Sequence, residues 1–138
     1  MIAFRSLILI GGLLLPASSA LAQSSLVDRW YTALFDVNRI ALTDLLAEDA
    51  VINLEDLGVT QTKAEFIEAL DEWEGVVKNA NLAWQIEDGT GADLTTASVL
   101  VCYQFPDNER LIREVLEFRD AKIISSVQTT VGDNCENF

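Results

Sequence analysis

Leu45-Leu46-Ala47-Glu48-Asp49-Ala50-Val51-Ile52-Asn53-Leu54 changes its hydrophobic period midway, and its reading decides the fold. The first residues continue a helical spacing that begins at Leu42 and runs through Leu45 and Leu46. The last, Val51, Ile52 and Leu54, read as a short strand. Helical patterns lie on both sides of this stretch, and alternating strands fill the rest of the chain.

Upstream, Leu26, Trp30, Leu34 and Val37 recur at spacings of three and four, flanked by Tyr31 and Phe35. This is an amphipathic helix with an aromatic buried face, with Ser25 as its cap, Asp28 in its first turn and Asn38 at its end. Downstream, Gly58 closes the short strand, and Thr62-Lys63-Ala64-Glu65 has the form of a capping box that opens a third helix. Phe66, Leu70, Trp73 and Val77 make its apolar stripe. Glu65, Glu68, Asp71, Glu72 and Glu74 lie mainly off that stripe and read as a solvated face.

Beyond Asn81 the period drops to two. Leu82, Trp84 and Ile86 alternate with other residues up to a turn at Asp88-Gly89-Thr90-Gly91. Leu94 to Phe105, Arg110 to Arg119 and Lys122 to Thr130 are then strands, joined by turns at Pro106-Asp107-Asn108 and Asp120-Ala121. Pairing Tyr103 with Ile112 sets Val101 against Glu114 and Val99 against Leu116. A two-residue turn at Asp120-Ala121 sets Phe118 against Ile123, Leu116 against Ser125 and Glu114 against Val127. Both registers gather Val99, Val101, Tyr103, Ile112, Leu116, Phe118, Ile123 and Val127 on one face, where Glu114 is the single charge. Leu100, Cys102, Gln104, Arg113, Val115, Glu117, Arg119, Ile124 and Gln128 fall on the other, apolar enough for a subunit contact.

The amino terminus reads as a secretory signal peptide, Met1 to Ala22: Arg5, an apolar run from Leu7 to Leu15, and a small-x-small site at Ala20-Leu21-Ala22. A membrane anchor is the alternative, but the run is shorter than the ~20 residues a span needs. Cleavage leaves Gln23 to Phe138, enough for one domain, periplasmic or secreted. Two cysteines, Cys102 and Cys135, fit a disulfide in such a compartment; a free buried Cys102 is the alternative. Acidic residues number 22 against 9 basic, for a net charge of −13. That charge repels nucleic acid and anionic membrane surfaces and keeps an exported protein soluble. The absence of histidine removes imidazole bases and histidine-built zinc sites. Neither a cofactor nor a metal is expected.

This order of elements, with Leu46-Ala47-Glu48-Asp49-Ala50-Val51, then Gly58, then Lys63 to Trp73, then Leu116-Glu117-Phe118-Arg119-Asp120 and Lys122-Ile123, resembles the nuclear transport factor 2-like superfamily, in particular its SnoaL-like and ketosteroid isomerase branch. The resemblance spans the chain beyond the leader. It implies an α+β cone: a curved antiparallel sheet wrapped around a long N-terminal helix, with two shorter helices and an apolar pocket on the concave face. In the isomerase branch that pocket carries an oxyanion-donating tyrosine, a carboxylate base and a buried acid. Matched onto this chain, those roles fall on Trp30, Leu54 (with Glu55 one residue away) and Glu114. Indole is no acid of suitable strength and leucine takes no proton, so steroid-type isomerisation is not expected.

The candidate site is therefore Glu114, within a pocket of Trp30, Tyr31, Leu54, Phe66, Trp84, Val101, Tyr103, Leu116 and Phe118. Plainer roles stand beside these: a Glu114 bonded to Tyr103 or Trp30, and aromatics that are simply core. Three functions stay open. The chain is an exported domain binding a small apolar or aromatic ligand; or a homodimerisation module working through the outer sheet face; or a lyase, isomerase or cyclase using Glu114 as acid or base. An open cavity at Glu114 favours a ligand, and a closed core favours the interaction module.

Overall fold

The computed structural model describes residues 18–87 and 95–138. Its elements are α1 (Ser18–Phe35), α2 (Arg39–Leu45), β1 (Leu46–Leu54), a 3₁₀ turn (Glu55–Leu57), β2 (Val59–Thr62), α3 (Lys63–Val77), β3 (Asn81–Ile86), β4 (Thr96–Gln104), β5 (Glu109–Arg119) and β6 (Lys122–Gly132). Most of the expected leader lies outside the described residues, as does the expected turn at Asp88–Gly91. From Ser18 onward the leader's end belongs to α1, so Ser25 sits within the helix rather than at its cap.

Val27, Trp30, Tyr31 and Leu34 are the buried stripe of α1, set by the helical repeat. Val37 then takes φ 52°, and the Asn38 side chain accepts from Ala41 N at 3.1 Å. Asn38 thus opens α2 as well as following α1. Leu46 is the first residue of β1, which is longer than the expected strand. At α3 the capping box is complete: Thr62 N donates to Glu65 Oε1 and Glu65 N to Thr62 Oγ1, both at 3.2 Å.

The six strands form one curved, open sheet in the order β2-β1-β6-β5-β4-β3. It is mixed rather than wholly antiparallel, because β1 runs parallel to β6. Short β2, folded back on β1 after Gly58 at φ 62°, has no counterpart among the elements expected from periodicity.

Two registers differ from expectation. Between β4 and β5, Val99 pairs with Glu114, Val101 with Ile112 and Tyr103 with Arg110, two residues from the expected alignment. The cause is a tighter turn than expected, closed by Phe105 N donating to Asn108 O at 2.8 Å. A shift of two leaves every side chain on its expected face. Between β5 and β6, Phe118 does pair with Ile123, but an irregularity between Glu117 and Phe118 then sets Leu116 against Ser126, Val115 against Val127 and Glu114 against Gln128. One extra residue reverses the faces of the β6 residues beyond it. Val127 turns outward with Val115, and Ser126 and Gln128 turn inward.

On the outer face Cys102 and Cys135 are joined in a disulfide beside Leu100 and Leu111. Among the described residues no helix is long and apolar enough to cross a membrane.

At the β5–β6 hairpin Asp120 and Ala121 have φ 53° and 60°, the left-handed pair that suits the twist of a two-residue turn. Alanine is strained there where glycine is not. Ala121→Gly is expected to stabilise the chain by roughly 0.5–1 kcal/mol after the added chain entropy of glycine. A urea midpoint that falls in this variant would contradict that account.

Candidate functional site

One row of paired residues crosses the sheet and builds the site: Leu54 on β1 beside Gln128 on β6, Gln128 beside Glu114 on β5, Glu114 beside Val99 on β4. The neighbouring row carries Ile52, Ser126 and Leu116. Helix α1 lies over both and supplies Trp30 and Tyr31.

Glu114 is 0% exposed, and Ser126, also fully buried, is the other polar residue of the core among the described residues. Tyr31 donates its hydroxyl to Glu114 Oε1 at 2.6 Å, Gln128 Nε2 donates to Oε2 at 3.1 Å, and the Ser126 hydroxyl is bonded to Oε2 as well. The Trp30 indole N–H faces the same carboxyl from just outside hydrogen-bond geometry, which leaves Nε1 a buried side-chain nitrogen without a partner. Burial pushes Glu114 above the usual carboxylate range, against the opposing hydrogen bonds of Ser126, Tyr31 and Gln128 and the nearby Trp30 N–H. Burial first and the Glu114 charge second push the Tyr31 phenol well above its ordinary value, and the same two causes raise Tyr103. The arrangement holds the Glu114 carboxyl in a buried cage of three hydrogen-bond partners, Tyr31, Ser126 and Gln128.

The pocket expected around Glu114 is filled by its own side chains. Trp30 stacks on Phe66 with ring centres 5.5 Å apart, and Tyr31 on Trp84 at 5.4 Å. Trp84 donates to Asp28 Oδ1 at 2.9 Å. Trp30, Tyr31, Val101, Leu116, Tyr103 and Phe118 are buried core; neither they nor Trp84 line the clefts at the end of the sheet. The tyrosine that meets Glu114 is Tyr31, one residue beyond the position to which the family resemblance assigns that role, because the α1 stripe turns both aromatics inward.

Open space lies one step along the row, at the end of the sheet. A cleft of about 420 Å³ runs between α3 and β1–β6, lined by Leu34, Leu54, Leu57, Gln61, Phe66, Ala69, Leu70, Glu72, Trp73, Val76 and Gln128. A second, of about 410 Å³, is lined by Leu54, Asp56, Leu57, Arg110, Ile112, Gln128 and Thr130. They share Leu54, Leu57 and Gln128. Of the expected pocket residues, Leu54 and Phe66 line these two clefts. Trp73 and Gln128 were missed as cleft residues. Trp73 lay in plain view on the α3 stripe, whereas Gln128 was hidden by the strand irregularity.

The 3₁₀ turn that carries Leu57 is tied to β6 by its two acids. Thr129 donates to Glu55 Oε2 at 2.7 Å and Thr130 N to Asp56 Oδ2 at 2.5 Å. Glu55 is thus engaged at the seam and does not reach Glu114. Among the described residues no group of His, Cys, Asp and Glu is placed to hold a metal ion.

Neither a family model nor a curated protein sequence matches the chain. Solved structures do. A protein designated a ketosteroid isomerase from Kribbella flavida superposes with a TM-score of 0.69 at 18% identity, over 81% of this chain and 79% of its own. An NTF2-like protein of unknown function from Burkholderia xenovorans gives 0.70 at 14% identity, over 86% and 88%. An epoxide hydrolase from M. tuberculosis gives 0.61 at 14% identity, over 80% and 83%. The chain has the nuclear transport factor 2-like fold, which hosts several chemistries and by itself selects none of them.

Proposed function

We propose that this protein is an exported domain that binds a small apolar or aromatic ligand, seated between α3 and the β1–β6 seam rather than around Glu114. The cleft there carries the reading: Leu34, Leu54, Phe66, Leu70, Trp73 and Val76 wall about 420 Å³, with the Gln128 amide among them. A space of that size, mostly apolar with few polar groups, suits a small molecule. The leader-like amino terminus and the Cys102–Cys135 bond support export. Acid–base chemistry at Glu114 is the reading that the packing supports least, since a catalytic carboxyl must touch its substrate.

Nile red, which is uncharged and so indifferent to the net charge, tests this directly. Saturable binding in the micromolar range is expected, and Ala69→Trp, which fills the cleft, is expected to weaken it at least ~10-fold while the protein still melts cooperatively. Unsaturable binding, or equal affinity in the filled variant, would remove the ligand reading.

The closed packing at Glu114 favours one further reading, a dimerisation module working through the outer sheet face. A mature protein that sediments as a monomer at micromolar concentration counts against it.

A further inference from the structure

Among the described residues, Arg110 is the only positively charged side chain lining either of the two clefts that meet at Leu57. It stands at the start of β5, opposite Tyr103, on the same face as Ile112 and Glu114, because side chains two apart along a strand share a face. Its guanidinium is half-exposed and makes one hydrogen bond, from Nη1 to Asp133 Oδ1 at 3.2 Å. The Asp133 side chain is 91% exposed. A single long bond between exposed groups holds weakly. The other nearby acid, Asp56, is committed to Thr130 N and is held low first by that bond, with Arg110 a lesser contributor. The donor fork of Arg110 is therefore loosely occupied by a carboxylate of the chain itself, beside an apolar floor of Leu54, Leu57 and Ile112.

We propose that ligands of this cleft carry a carboxylate at one end, which displaces Asp133 and pairs with Arg110 while the apolar body runs past Leu57 toward Trp73. The inference rests on the ligand-binding reading of the cleft and adds the chemical class and orientation of the ligand. A ligand carboxylate can pair with both arms of the guanidinium, which Asp133 does not do. Asp133 is held near Arg110 by the tail anchored at Cys135, whose N–H donates to Glu109 Oε2 at 2.9 Å.

The test is displacement of Nile red from the full oxidised chain at neutral pH by 4-phenylbutanoate and by its uncharged amide. The acid is expected to bind about 10-fold more tightly than the amide. Arg110→Gln is expected to bring the acid down to the amide's affinity, so that the roughly 10-fold ratio between the two collapses to one. Asp133→Asn removes the internal competitor and is expected to raise the acid's affinity about 3-fold. Equal affinities in the unmodified chain, or an acid preference that survives Arg110→Gln, overturns this inference and leaves the ligand-binding reading standing if Nile red still binds. Failure of all three probes overturns both.

Discussion

Glu114→Ala is expected to destabilise the folded chain by roughly 3–5 kcal/mol, because it strands three buried or half-buried donors at once. Tyr31, Ser126 and Gln128 all lose their acceptor, and Trp30 Nε1 already lacks one. Glu114→Gln keeps the shape and an oxygen, and is expected to cost far less. Equal losses in the two variants, read from urea midpoints, would mean that the cage is not what holds these side chains.

The same pair of proteins carries a pH signature. The folded-state pKa of Glu114 is raised by burial. Well below the unfolded value, about 4.3, both states hold the proton and the group is neutral to stability. Between that value and the raised folded value the unfolded chain loses a proton that the folded chain keeps, so this group's contribution falls as pH rises and then levels. Glu48, Asp49, Asp56 and Glu87 work the other way, lowered by hydrogen bonds from Lys63, Arg119, the Thr130 backbone and Arg113. Their contribution is present above the unfolded value and is lost as pH falls through their folded values. Subtracting Glu114→Gln from the unmodified chain cancels those four. The glutamine variant should gain on the parent as pH rises above the unfolded value of about 4.3, until the folded value is passed; a difference independent of pH would contradict a raised Glu114.

Loss of the disulfide is the second large effect. Cys102 and Cys135 are 33 residues apart in sequence, and closing a loop of that length is worth about 4 kcal/mol of unfolded-state entropy. The double variant Cys102→Ser with Cys135→Ser is expected to lose that amount, and reduction of the parent to lose about the same. Domains of this size have ~5–15 kcal/mol in all, so the reduced chain is expected to be marginal. A loss under ~1 kcal/mol would show that the unfolded chain is already compact in this region. Because the cluster of Leu100, Leu111 and the disulfide lies on the outer face, Glu114 and its cage are expected to keep their packing in any folded reduced protein.

Much of the fold was legible because its signals are local. The capping box at Thr62 and Glu65, the α3 stripe from Phe66 to Val77, the two-residue turn at Asp120 and Ala121, and the inward parity of β4 and β5 all rest on spacings of a few residues. Strand parity survived even where the β4–β5 register moved by two, since an even shift changes partners without changing faces. The burial of Glu114 came from the same parity.

The site was less legible, because it depends on pairings between distant segments. A single-residue irregularity between Glu117 and Phe118 brought Ser126 and Gln128 inside and sent Val127 out, and no spacing rule marks such a residue beforehand. The parallel pairing of β1 with β6, which sets Leu54 beside Gln128, joins stretches some seventy residues apart. Trp30 and Tyr31 stack on Phe66 and Trp84, and only three-dimensional packing decides whether facing side chains meet or leave a gap. The sequence by itself therefore determined the elements, their faces and the buried acid, through periodicity and capping. The tertiary structure alone decided that the acid is caged by Tyr31, Ser126 and Gln128, and that the open space lies beside it, because pairing register and packing are properties of the assembled sheet.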